Sequence, residues 1–260
     1  MPHQTERCFR ALVVGMITLA ATILAPVVAA EATLSPTGLK VLVRANDAKF
    51  IGSGVGNLNV VVRNATTGEL LAGGAITGPT GDTRALMQEP QTRGHTATQG
   101  EPASFQAELA LTRPTRVEVS VTGPLAVAQS IQTTAVTLWM IPGQDRVEQP
   151  LILHLPGLIT QLLDYTLDAG QLDLRASVTM ICGCPITEGG LWPASDFRAT
   201  VQLYRENELL AEGPLAFTGT DNAFAGKLDL PGTGDFEVVI HAYQVSTGNA
   251  GVYERPLRVE

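Results

Sequence analysis

Three soft-donor side chains occupy alternating positions in the segment VTMICGCPITEGGLW: Met180, Cys182 and Cys184. On an extended chain, positions i, i+2 and i+4 share one side, so thioether and two thiolates would make a donor set suited to Cu(I). A further ligand would have to come from His241, His154 or Met140, and nothing in the sequence brings these near. Two cysteines one residue apart can also close a tight disulfide, which an oxidising compartment permits and which would be readily reduced. The plainest role for Met180 and Cys182 is core packing, because both types are commonly buried. A thioredoxin-like role would need C-x-x-C at a helix start, and structural zinc usually takes more Cys and His ligands at wider spacing.

The other residues able to make contacts lie in loops. Arg84, Arg93 and His95 fall in the stretch GPTGDTRALMQEPQTRGHTATQGEPAS, which is long for a connection in a compact domain. Trp192 follows the cysteines in GGLWP, either as a packing residue or as a ring exposed to a sugar or partner. Asp221 and Asn222 are oxygen-rich, although turn chemistry accounts for them better than calcium. No G-x-S-x-G, H-E-x-x-H or Ser/His/Asp grouping is present, and FIGSGVGN lacks the lysine of a phosphate-binding loop. The expectation is therefore a protein that is not an enzyme.

These residues must be positioned by strands. The 260-residue chain is 45% hydrophobic but only 5% aromatic and 16% charged, with 26 glycines and 16 prolines. That composition, with period-2 alternation between turn signals, favours strands over helices. A net charge of −8 argues against nucleic acid as a partner. At the N-terminus Arg7 and Arg10 precede an uncharged stretch from Ala11 to Ala30, with Val28 and Ala30 as small residues before Glu31. This pattern predicts a signal peptide over 1–30 and a periplasmic or secreted mature chain, more acidic still, holding Cys182 and Cys184. An uncleaved leader would instead anchor the protein, and no later stretch is apolar enough to span a membrane.

The second half repeats the first. Phe105, Leu109, Leu111, Val117, Val119 and Val121 match Phe224, Leu228, Leu230, Phe236, Val238 and Ile240 at a constant offset of 119 residues. ELLAGG at Glu69 matches ELLAEG at Glu208, Val62 matches Val201, and Leu42 matches Asp173. Changing offsets place one insertion at 78–104 and another of about eight residues near Cys182–Asp196. If strands run up and down, both insertions fall at the same kind of end, together with 46–56 and 123–129 in the first unit and 219–222 and 246–251 in the second.

This strand rhythm, with turns such as NATTGE and STGNAG, resembles the tandem immunoglobulin-like or fibronectin-III-like β-sandwiches of exported bacterial proteins. The resemblance implies an all-β chain of two tandem antiparallel sandwiches, 31–156 with the 78–104 insert and 157–260 with the CGC loop. Such folds host adhesion, glycan binding and spacing, so the function expected is an exported, non-enzymatic binding protein of the cell envelope that works through end loops. An envelope protein or a glycan is the expected partner. The alternatives are a periplasmic Cu(I)-binding or thiol-redox accessory protein and a structural spacer.

Overall fold

The computed structural model describes residues 35–94, 98 and 100–260. The segment 1–30, expected to be a leader, and His95 lie outside the described residues. The described residues form one compact unit, all-β apart from short helical turns.

The first half contributes β1 (Ser35–Ala45), β2 (Leu58–Asn64), β3 (Leu70–Ile76), β4 (Phe105–Leu111), β5 (Thr115–Gly123), β6 (Gln132–Met140) and β7 (Arg146–Leu155). They form two facing sheets, ordered β3-β2-β5-β6 and β4-β1-β7. The second half contributes β8 (Leu158–Asp168), β9 (Gln171–Met180), β10 (Phe197–Arg205), β11 (Glu208–Phe217), β12 (Ala223–Asp229), β13 (Gly234–Gln244) and β14 (Ala250–Val259). Here β11 pairs with β10 along most of its length and with β12 at its end, so β14-β13-β10-β11 and β12-β9-β8 join into one folded sheet. Each half thus contributes its own immunoglobulin-like arrangement of strands to the one compact unit. Among the described residues no sheet mixes strands from the two halves, yet a single buried cluster runs from Leu39 through Met180 to Leu257.

Strand pairing confirms the repeat and corrects two of its matches. Phe105 pairs with Val41, and its equivalent Phe224 pairs with Ala176, so Val41 corresponds to Ala176. Matching Leu42 to Asp173 is therefore displaced by four residues. Likewise Val119 pairs with Val62 and Val238 with Leu203, so Val62 corresponds to Leu203 and lies two residues from its sequence match, Val201. Equivalent bulges after Val62 and Leu203 fix this register. A period-2 pattern matches itself at every even shift, which is why sequence alone admits these slips. The corrected registers also make the second insertion shorter than about eight residues.

One strand breaks the repeat. The place beside β1 is taken by β7, and the matching place beside β9 is taken by β8. Because β7 follows its unit while β8 precedes it, β7 runs parallel to β1 and β8 antiparallel to β9. Among the described residues, β1–β7 is the strand ladder that departs from antiparallel pairing. Only Pro156 and Gly157 separate the two strands, so the top of the first sandwich feeds directly into the top of the second.

Candidate functional site

In β9 the residues Leu172, Leu174, Ala176, Val178 and Met180 are buried in alternation, and the core-facing row is the one the sequence predicts. The strand ends in a turn. Gly183, at φ 78°, lets its N–H donate to the Met180 carbonyl at 2.7 Å, while the Met180 N–H donates to the Cys184 carbonyl at 3.2 Å. The chain therefore folds back, and Met180, Cys182 and Cys184 are not arrayed along one extended side. A Cβ on Gly183 would come within 2.8 Å of Val55 in the other half, so glycine serves both the turn and the close approach. Cys182 and Cys184 are both buried, with Cα atoms 5.4 Å apart and their sulfurs in contact. Among the described residues no group of three or more His, Cys, Asp or Glu side chains is placed to hold a metal.

The loops after the first, third and fifth repeated strands do share one end in each half. Ser53 N–H donates to the Gly78 carbonyl at 3.0 Å, and Leu125 N–H donates to the Gly56 carbonyl at 2.7 Å. In the second half Asn222 joins two loops: its N–H donates to the Ile186 carbonyl at 2.9 Å, and its side-chain carbonyl accepts from Ile186 N–H at 2.8 Å. Asp196 ties the third loop down by accepting from Ser246 N–H at 3.0 Å.

The two loop ends meet each other. Trp192 Nε1–H donates to the Asp47 carbonyl at 2.9 Å, and the Asn249 amide donates to the Asn46 carbonyl at 3.0 Å. The Gln244 amide bridges the carboxylates of Asp47 (3.2 Å) and Asp196 (3.1 Å). On another side, the Gln129 side-chain N–H donates to the Glu254 carbonyl at 2.8 Å and its side-chain carbonyl accepts from Glu254 N–H at 2.7 Å, so it mimics an added strand residue. These contacts cover backbone that would otherwise be unpaired at a sandwich end.

A recess of about 330 Å3 remains at this junction. Lys49, Thr80 and Thr83 line it from the first half, and Cys182, Gly183, Cys184, Pro185, Thr187 and Gly190–Trp192 line it from the second. Lys49 Nζ donates to Thr83 Oγ1 at 3.1 Å, and the Leu191 side chain is exposed at the rim. Both insertions therefore reach one site, with an ammonium on one wall and the sulfur pair on the other.

The remaining predicted contact residues are distributed otherwise. Trp192 is only 5% exposed, and a ring so enclosed is no open platform for a sugar. Arg84 lies on a single helical turn, α1 (Thr83–Met87), and pairs with Glu89 at 3.2 Å. Arg93 and Asp221 are exposed away from these contacts, and Asn222 is occupied as the loop staple described above. Part of the 78–104 insert is packed: Leu86 joins Leu42 and Phe50 in a small second core, and Arg44 donates to the Leu86 carbonyl at 2.9 Å. Lys49, Thr80 and Thr83 carry no motif that sequence could have flagged.

No family model matches the sequence, and no curated protein matches it. Solved structures with a similar strand arrangement include a DUF3823 family protein from Bacteroides ovatus, at 8% identity and TM-score 0.33, covering 85% of this chain and 99% of that one. The chicken interferon gamma receptor alpha chain aligns at 11% identity and TM-score 0.34, over 86% and 98% of the two chains. A tip fimbrial protein from Porphyromonas gingivalis aligns at 12% identity and TM-score 0.28, over 86% and 82%. Such likeness is one of fold alone, and the functional reading rests on the residues themselves.

Proposed function

We propose that this is an exported, non-enzymatic binding protein of the cell envelope whose ligand contacts lie in the junction recess. The observation that carries the reading is that the inserted loops of both repeats line one recess. Lys49 lines this recess together with Leu191 and the Cys182–Cys184 wall. A recess of this make-up suits a partner group that is partly apolar and carries an acceptor for the ammonium. An envelope protein or a glycan is the proposed partner, met in the periplasm or outside the cell.

The test compares the mature chain, residues 31–260, with Leu191→Glu and Lys49→Ala in capture from an envelope extract and on a glycan array. Loss of capture in both variants, at unchanged melting temperature, supports the recess. Undiminished capture in both sinks the reading.

A second reading is favoured by the sulfur contact on the recess wall. Cys182 and Cys184 would form a disulfide, and the protein would exchange thiols or, once reduced, bind Cu(I). The measurement that separates it is described with the other predictions below.

A further inference from the structure

Because the loop ends face each other, the free end of the first sandwich is the opposite one, where β6 finishes at Met140 beside the β2–β3 and β4–β5 turns. Trp139 stands there with 63% of its surface exposed, whereas the chain's other tryptophan is buried. A large ring left in water calls for an explanation. Arg116 lies directly opposite it across the β5–β6 ladder.

The ring divides two shallow hollows. One, of about 260 Å3, is bounded by Arg113, Arg116, Thr66 and Thr67, and the other, of about 420 Å3, by Gln144, Arg146 and Gln149. The guanidinium groups of Arg113, Arg116 and Arg146 make no hydrogen bond or ion pair among the described residues. The acid among the described residues lining the hollows is Asp145, and its carboxylate accepts from Gly38 N–H at 2.7 Å. On a chain of net charge −8 this end therefore gathers unpaired cations around one exposed indole.

We propose that this end binds an acidic saccharide. A pyranose ring stacks on Trp139, and carboxylates on the flanking sugars are taken by Arg113 and Arg116 on one side and Arg146 on the other. A guanidinium fork matches a carboxylate in two parallel hydrogen bonds. The hydroxyl and amide groups of Thr66, Thr67, Gln144 and Gln149 suit sugar hydroxyls. A protein partner fits less well, because an interface core needs a contiguous apolar patch, and here the apolar lining of Trp139, Ile141, Pro114 and the buried Met140 is outnumbered by polar side chains. The site is separate from the junction recess.

The experiment titrates the mature chain with oligogalacturonate, neutral dextran oligomers and poly-glutamate, following the emission of exposed Trp139. Oligogalacturonate is expected to quench and shift that emission, with binding weakened by added salt. Trp139→Ala, read by calorimetry, should weaken binding by about tenfold or more, as loss of one stacking contact does elsewhere. Arg113→Gln with Arg116→Gln should reduce the preference for acidic over neutral oligomers, and adding Arg146→Gln should abolish it. Leu191→Glu, at the junction, should leave this binding unchanged, so the two sites fail or stand separately. The proposal is overturned if oligogalacturonate does not bind, if dextran binds equally well, or if poly-glutamate binds equally well without dependence on Trp139.

Discussion

The indole N–H of Trp192 donates to the main-chain carbonyl of Asp47 at 2.9 Å, joining residues 145 positions apart in the chain. This bond joins the two halves through a buried indole, so losing it leaves a carbonyl without its protein partner. Trp192→Phe should lower stability by about 1 kcal/mol. Trp192→Ala, which also empties the space under the recess, should cost about 3–5 kcal/mol. Urea unfolding followed by circular dichroism measures both.

Asp196 gives the junction a dependence on acid. Partial burial pushes its carboxyl up, but hydrogen bonds from the Ser246 hydroxyl, the Gln244 amide and Ser246 N–H, with the Arg198 charge nearby, hold it below its ordinary 3.8. A carboxyl depressed on folding contributes stability that is fully present above its unfolded value. That stability is lost as pH falls through the lower folded value. Melting temperature should therefore fall more steeply below about pH 4 in the parent than in Asp196→Asn. Equal slopes would remove Asp196 from the account.

Thr160, on β8 beside Gly251, is fully buried, and its hydroxyl has no hydrogen-bond partner among the described residues. Thr160→Val keeps the shape and removes the unsatisfied group. The variant should be more stable by about 1 kcal/mol, and a lowered denaturation midpoint would contradict this.

The 78–104 insert combines a packed part with an exposed part. Leu86→Ala should cost about 2 kcal/mol by loosening the Leu42–Phe50 cluster. Trimming the whole stretch from Pro79 to Ala103 would strip that cluster, so it cannot separate folding from binding. Shortening 92–98 removes Arg93 and His95 while sparing α1, and should leave the unfolding midpoint unchanged. If partner capture also survives, those two residues are not contacts.

For the cysteines the expected outcome is no titratable thiol in mature protein purified without reductant, and two after unfolding in reductant. Cys182→Ala should then expose one thiol and loosen the loop through Asp196, seen as faster amide exchange. Reduced protein that takes Cu(I) from a chromogenic chelator, with loss of uptake in Cys182→Ala and Met180→Leu, would establish the copper reading. Two accessible thiols with no copper uptake would sink both chemical readings.

Local alternation made much of this molecule legible. The apolar row of β9, from Leu172 to Met180, is readable because side chains on a strand alternate strictly between faces. The shared end of the inserted loops follows from strand count alone. What alternation omits is how one sandwich meets another. Asp47 and Trp192 have no local signal of contact, and the meeting of the two ends depends on the β7–β8 reversal, where one strand follows its repeat and the other precedes it. Trp139 was hidden for a related reason. TTAVTLWM reads as an ordinary half-buried strand, and only the position of β6 at a sheet edge and sandwich end leaves the ring in water.

The two-residue link at Pro156–Gly157 also determines how the molecule would carry a mechanical load. A pull applied at Ser35 and Val259 acts on the far ends of the two sandwiches, since β1 starts and β14 finishes away from the junction. With no slack in the link, the force passes through the mated loops around Asp47, Trp192, Gln244 and Asn249. Those contacts would have to part before either sandwich could swivel, so the pair transmits tension as a stiff strut and not as two beads on a cord.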